Sequence, residues 1–192
     1  MHLLVLPGWN DSDAGHWQSL WLHRPVPPWT LHKVEQSDWH RPLRGDWMAR
    51  LEDVVSALDG PVGFVAHSLG CHLAAAWAAH SRQRERLQVA LLVAPPDLER
   101  DDLPAPLHSW RPPVLQPLPG RCVVVASSDD AYCDLEHASR MAHAWGADCV
   151  VAGALGHINT DSGHGPWNAG WHILEHLLHG DAVPFLTPAP TQ

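Results

Sequence analysis

Tyrosine and phenylalanine are almost missing from this chain: one Tyr and two Phe stand beside eleven Trp. The aromatic interior must therefore be built of indoles, each burying a large area and bringing one N–H that needs an acceptor. Most of them read as core and core-edge residues. Basic residues are scarce too, with 12 Lys and Arg against 21 Asp and Glu and a formal charge of −9 when histidine is neutral. No Lys/Arg cluster is interleaved with aromatics, and the densest basic stretch, Arg82 to Arg86, contains Gln83 and Glu85. Nucleic acid binding by phosphate neutralisation is excluded on that ground. Sixteen histidines make the charge move between about pH 5 and 7.

Long apolar runs are absent as well. Leu3 to Leu6 is cut short by Pro7-Gly8, so the start of the chain reads as neither a signal peptide nor a membrane span. Cys71, Cys122, Cys133 and Cys149 show no CxxC spacing and no small-domain disulfide pattern. A cytoplasmic protein with reduced thiols and no membrane partner is the expectation. No internal repeat is found. With 45% hydrophobic and 17% charged residues, a packed core is expected and disorder is not.

What is present is alternation. Leu3 to Leu6, Val62 to Ala66, Val89 to Ala94, Cys122 to Ala126 and Cys149 to Ala152 are short, nearly continuous apolar runs, with Thr30 to Val34 a weaker sixth. Such runs suit strands covered on both faces. Helical patterns lie between them: His16 to Leu22, Trp47 to Leu58, Leu69 to His80, Leu135 to Trp145 and Trp167 to His179. The expected fold is a three-layer, Rossmann-like α/β domain with a mostly parallel sheet of about six strands. One domain is expected over residues 1–183, with a proline-rich tail over 184–192. The eight prolines of Pro95 to Pro119 make that segment an irregular loop over the sheet edge.

The most informative stretch is Val62 to Cys71, where a buried strand meets Ala66-His67-Ser68-Leu69-Gly70 and then an Ala-rich helix. Strand, serine with small neighbours, and helix together are the context of a nucleophile elbow. Ala66 stands where the first glycine of such a motif is usual. The competing reading is that Ser68 only caps the helix. A serine nucleophile needs a base and an orienting acid. His157, on the Gly156-His157-Ile158-Asn159 loop past the last strand, is the candidate base. The acid is sought after the preceding strand, where Ser127-Ser128-Asp129-Asp130 offers two adjacent carboxylates and spacing does not separate them. Whichever is not the acid would cap the helix near Leu135. Asp97 is a third candidate. The oxyanion hole would use the backbone N–H of Leu69 and, after Pro7-Gly8, that of Trp9.

These motifs, Leu6-Pro7-Gly8, Ala66-His67-Ser68-Leu69-Gly70, Ser128-Asp129-Asp130 and Gly156-His157-Ile158-Asn159, together resemble the small serine hydrolases typified by retinoblastoma-binding protein 9 and bacterial YdeN. Ser162 to Trp167 also looks like the bacterial branch, and the resemblance runs from about Leu3 to Leu178. It implies a compact α/β-hydrolase without a large cap. It further implies that the acid is the Asp preceding a Pro-aromatic pair, which here is Asp130, followed by Ala131-Tyr132 with the proline missing; Asp129 is kept as the alternative.

The expected activity is serine hydrolysis of a small-molecule ester, thioester or amide through an acyl-enzyme on Ser68, with no cofactor and no metal. Trp9, His67 and Trp167 are candidate substrate-binding residues, with Trp39 a further one. His67 and His72 flank the elbow as packing or supporting groups. The contrasting function is a binding protein that kept the fold and lost the chemistry, using an exposed Gln36 to His40 loop. A metal-dependent hydrolase is a third class, but His172, His176 and His179 lie opposite the apolar stripe of Ile173, Leu174, Leu177 and Leu178, as on a solvated helix face.

Overall fold

Each apolar run becomes a strand. In the computed structural model, which describes residues 1–25 and 27–182, they are β1 (His2–Leu6), β2 (Thr30–Lys33), β3 (Val62–His67), β4 (Leu87–Val93), β5 (Arg121–Ala126) and β6 (Asp148–Val151). They pair in the order β2-β1-β3-β4-β5-β6, and every pairing is parallel. The tail 184–192 lies outside the described residues.

The helices are α1 (Trp17–Trp21), α2 (Arg44–Ser56), α3 (Leu69–His80), α4 (Leu135–Trp145) and α5 (Asn168–His179). Helix α2 starts three residues before the expected Trp47, because Arg44, Gly45 and Asp46 carry no apolar signal; Asp46 suits the positive end of the helix dipole. Strand β4 starts two residues early because exposed Gln88 interrupts its apolar run.

Continuous hydrophobicity has the expected cause, since alternate strand residues feed two separate cores. Leu4, Leu6, Phe64, Ala66, Leu92 and Val124 pack with α2, α3 and α4 on one face. Leu3, Val5, Val65, Leu91, Val93 and Val125 pack with α1 and α5 on the other. The indoles tie these layers together through their N–H groups. Trp110 donates to the Pro42 carbonyl at 2.6 Å, Trp145 to Val114 at 2.8 Å, and Trp17 to Ile158 at 2.9 Å. The segment Pro95 to Pro119 is consequently a strap fastened to the core, burying Leu98, Leu103, Leu107, Trp110 and Leu118. Among the described residues no helix is long and apolar enough to cross a membrane.

From β1 the chain moves outward to β2, then returns to place β3 on the other side of β1. At such a reversal the loops after the two strands diverge and leave a crevice at their carboxyl ends. Gln18, fully buried, fills the floor of that crevice: its amide donates to the carbonyls of Leu6 and Val65 at 3.2 and 3.0 Å, and its oxygen accepts from Ser12 at 2.7 Å.

Candidate active site

Ser68 follows β3 at this crevice, in a backbone conformation (φ 52°, ψ −123°) that costs an L-residue about 1–3 kcal/mol. Its neighbours impose it. The Ser68 N–H is bound to the Val93 carbonyl at 2.9 Å, and the Ser68 carbonyl accepts from Cys71 N–H at 3.0 Å. The Ser68 side chain makes no capping bond to α3. Its Oγ lies 2.9 Å from His157 Nε2, and His157 Nδ1 lies 3.0 and 2.9 Å from the two oxygens of Asp130. The Asp130 side chain is 2% exposed and that of His157 11%.

The two adjacent aspartates have different places. Asp129 Oδ1 accepts from the Ser127 hydroxyl at 2.8 Å and from Gly156 N–H at 2.7 Å, while Ser127 Oγ accepts from Leu155 N–H at 2.9 Å. These bonds, the Ser127 hydroxyl foremost, hold the Asp129 carboxyl below its usual range. Asp129 therefore clamps the loop that presents His157, and it does not cap α4 as expected. Asp134 does that, accepting from His137 N–H at 2.8 Å, because it alone directly precedes Leu135. Asp97 does not contact His157; its Oδ1 accepts from Glu99 N–H at 2.8 Å.

Gly8 allows the loop after β1 to approach Ser68 closely: a Cβ there would sit 2.8 Å from the serine Cβ. Among the described residues, neither Trp9 N–H nor Leu69 N–H has an acceptor within the chain. Two donors are thus left beside the serine, as stabilisation of a developing oxyanion requires.

A cavity of about 530 Å³ opens onto Ser68, lined by Trp9, His67, Leu69, Leu107, Tyr132 and His157 among others. Trp167 is not in it, which corrects the sequence reading. A left-handed backbone at Trp167 (φ 38°) turns its ring under α5, where it packs against Trp17 and Trp21 in the far core. Trp39 is also outside the cavity; half-buried, it packs on Trp47 at 5.3 Å between ring centres, and Lys33 lies over its face. His67 Nε2 donates to the His157 carbonyl at 2.9 Å, a second hold on that loop. His72, fully inside the core, donates to Pro96 at 2.8 Å. Sequence reasoning missed Tyr132, whose ring meets His157 edge-on at 4.6 Å, and the strap residues Arg100 and Asp102. The aromatic after Asp130 was a signal for the first; nothing local signals the others.

A model of the serine hydrolase family matches residues 3–176. The chain belongs to the serine hydrolase family. No curated protein matches this serine hydrolase. A YdeN-like hydrolase of Pectobacterium atrosepticum is 28% identical with a TM-score of 0.76, over 94% of this chain and 92% of its own. The ydeN product of Bacillus subtilis is 19% identical with a TM-score of 0.76, over 93% and 98%. The carboxylesterase CesB of B. subtilis is 14% identical with a TM-score of 0.62, over 94% and 84%. These last two share the fold.

Burial keeps several histidines of this serine hydrolase neutral. It pushes His16 and His72 down to about 4. His67 is also held well below the ordinary histidine range, by burial first and then by the neighbouring His157 and His16. An unfolded histidine titrates near 6.5, so between that pH and about 4 the unfolded chain takes up protons that the native state refuses. The associated stability is complete above 6.5 and is lost as the pH falls. Urea titrations at pH 7.5, 6 and 5 should show it declining by up to about 1.4 kcal/mol per pH unit for each such histidine. His72→Gln, which keeps a donor for Pro96, should flatten the slope by one histidine. Equal stability at pH 7.5 and 5 would contradict this.

Proposed function

We propose that this protein is an esterase-like hydrolase that cleaves a small acyl ester, thioester or amide through an acyl-enzyme on Ser68. The observation that carries the reading is the continuous hydrogen-bonded chain from Ser68 Oγ through His157 to Asp130, at a strained turn facing the cavity. His157 Nε2 takes the hydroxyl proton as Oγ adds to the carbonyl carbon, and the carbonyl π pair moves to oxygen. The N–H groups of Leu69 and Trp9 hold that oxyanion. Collapse returns the pair, breaks the bond to the leaving group, and passes the His157 proton to it. Water, deprotonated by His157, then repeats the sequence on the acyl-enzyme and frees Ser68. Asp130 keeps Nδ1 as the protonated nitrogen and stabilises the imidazolium. Trp9 and His67 form part of the substrate wall.

That a carboxylesterase shares the fold supports an ester as the substrate class. Among the described residues no cysteine lines the cavity, and burial pushes Cys133, in the segment after Asp130, up to about 12. The test is a fluorophosphonate probe followed by intact mass on wild type and Ser68→Ala. A single adduct on wild type, mapped to Ser68 and absent from the variant, is expected. Folded wild type that stays unlabelled would turn the reading to a binding protein.

A further inference from the structure

Five aspartates, Asp11, Asp13, Asp97, Asp102 and Asp161, line the cavity at Ser68, against one guanidinium, that of Arg100. Their compensation is uneven. Arg100 is consumed within the wall: it binds both oxygens of Asp102 and donates to the Ala131 carbonyl at 2.9 Å. Asp11 pairs with Lys33 at 2.8 Å, a cation it shares with Glu35 at 3.2 Å. Asp97 has His137 at 3.8 Å as its ion-pair contact among the described residues. Among the described residues, Asp13 and Asp161 have no Lys or Arg in ion-pair contact.

These last two carboxylates share one wall. Asp13 Oδ1 accepts from the Thr160 hydroxyl at 3.0 Å, joining the loop after β1 to the loop after His157, and Asp161 is the next residue. The imidazoles beside them add no charge at neutral pH, since burial holds His16 at about 4 and His67 well below the usual range.

The same wall holds a buried polar atom without a partner. His16 is 4% exposed and lines the cavity; its Nδ1 accepts from Gln18 N–H at 3.2 Å, so Nε2 carries the proton. That Nε2 has no partner among the described residues. That nitrogen is buried, so the sign of the wall is set by the exposed carboxylates of Asp13 and Asp161. Asp13 also accepts from Gly15 N–H at 2.7 Å and His16 N–H at 3.1 Å.

We propose that this wall makes the cavity charge-selective, admitting acyl substrates that are neutral or positively charged near the scissile bond and rejecting anionic ones, with Asp13 and Asp161 as the specificity-determining residues. The inference rests on Ser68 being the nucleophile. Acyl groups on anionic carriers are then poor substrates, and uncharged or cationic esters and thioesters good ones. Asp13 and Asp161 are exposed, so each carboxylate, roughly 8 Å from a substrate charge, acts through a water-like dielectric and changes its admission by about two- to threefold. Salt weakens this, because the screening length is about 8 Å at 0.15 M.

The test uses three butyryl thioesters whose thiols differ only in the group two carbons from sulfur: thiocholine (cationic), 3,3-dimethylbutane-1-thiol (neutral) and 2-mercaptoethanesulfonate (anionic). Thiol release gives kcat/KM for each. At low ionic strength the cationic ester should exceed the anionic one by about tenfold or more. The ratio should shrink towards one at high salt, and also at low salt in the double variant Asp13→Asn/Asp161→Asn. Asparagine keeps the acceptor that Asp13 gives to Thr160, and a general loss of activity leaves the ratio unmoved. A wild-type ratio near one, or a ratio untouched in the variant, overturns the proposal. If no thioester is cleaved, the comparison is made on the rates at which cationic and anionic fluorophosphonates of equal size modify Ser68. Equal rates overturn charge selectivity and leave the serine reading standing. No modification by either overturns both.

Discussion

Asp130→Asn is expected to lower kcat by about 10⁴-fold while leaving the protein folded. The carboxylate receives His157 Nδ1 on both oxygens, and it is almost wholly buried. An amide of the same size removes the negative charge that faces the imidazolium at each proton transfer. It also offers an N–H where Nδ1 needs an acceptor, which favours the wrong imidazole tautomer. The neighbouring Asp129→Asn keeps the Oδ1 acceptor used by Ser127 and Gly156, and should cost less than about tenfold. Asp129→Ala, which frees that loop, should fall between the two. Steady-state turnover of a neutral nitrophenyl ester, with circular dichroism to confirm folding, separates the three. An Asp129→Asn loss as large as that of Asp130→Asn would mean that the roles assigned to the two aspartates are wrong.

Gly70→Ala should be the most damaging single-methyl change in the fold. The first turn of α3 presses on the end of β1 so closely that a Cβ at Gly70 would lie 2.1 Å from the Leu6 carbonyl oxygen and 2.9 Å from that of Pro7. Both obstacles are backbone, within a sheet whose neighbours are fully buried, so neither can yield cheaply. A cost of about 3 kcal/mol or more is expected from such overpacking. The displacement reaches function as well, because Pro7 leads directly into Gly8 and the Trp9 N–H. The variant should therefore lose fluorophosphonate reactivity even where it still folds. Gly45→Ala is the matched control: nothing lies within 4 Å of its Cβ position in the first turn of α2. It should be neutral or stabilise by about 0.5–1 kcal/mol. Urea midpoints of the two variants check the contrast, and a Gly70→Ala midpoint equal to wild type would mean that α3 and β1 are less tightly apposed.

Much of this could be read from residues close together in the chain. The apolar runs gave five strands and pointed to a sixth because burial on both faces leaves no polar alternation to confuse them. The elbow was legible because a strained strand-to-helix turn demands small neighbours, and Gly70 records that demand. His157 was found through Gly156, whose left-handed backbone (φ 59°) belongs to the loop that lifts the imidazole off the sheet.

Other assignments had no local cause. Trp167 stands beside a candidate site segment in sequence, yet one left-handed residue sends its ring to the opposite core. Asp129 and Asp130 are chemically identical neighbours, and only the turn that brings Gly156 to one and His157 to the other distinguishes them. The strap residues Arg100 and Asp102, and the pairing of Asp13 with Thr160 across 147 positions, are visible only once the loops have met.

The amino-acid order by itself thus determined the fold class and singled out a candidate nucleophile and a candidate base, since hydrophobic period and turn chemistry act within a few residues. Spacing left Asp129 and Asp130 unseparated. Beyond the family resemblance that pointed to Asp130, it is tertiary structure that decided which carboxylate faces the imidazole, which indoles line the cavity, and which charges in its wall go unbalanced. Those depend on the packing of segments far apart in the chain, where direction in space, not residue type, sets the contact.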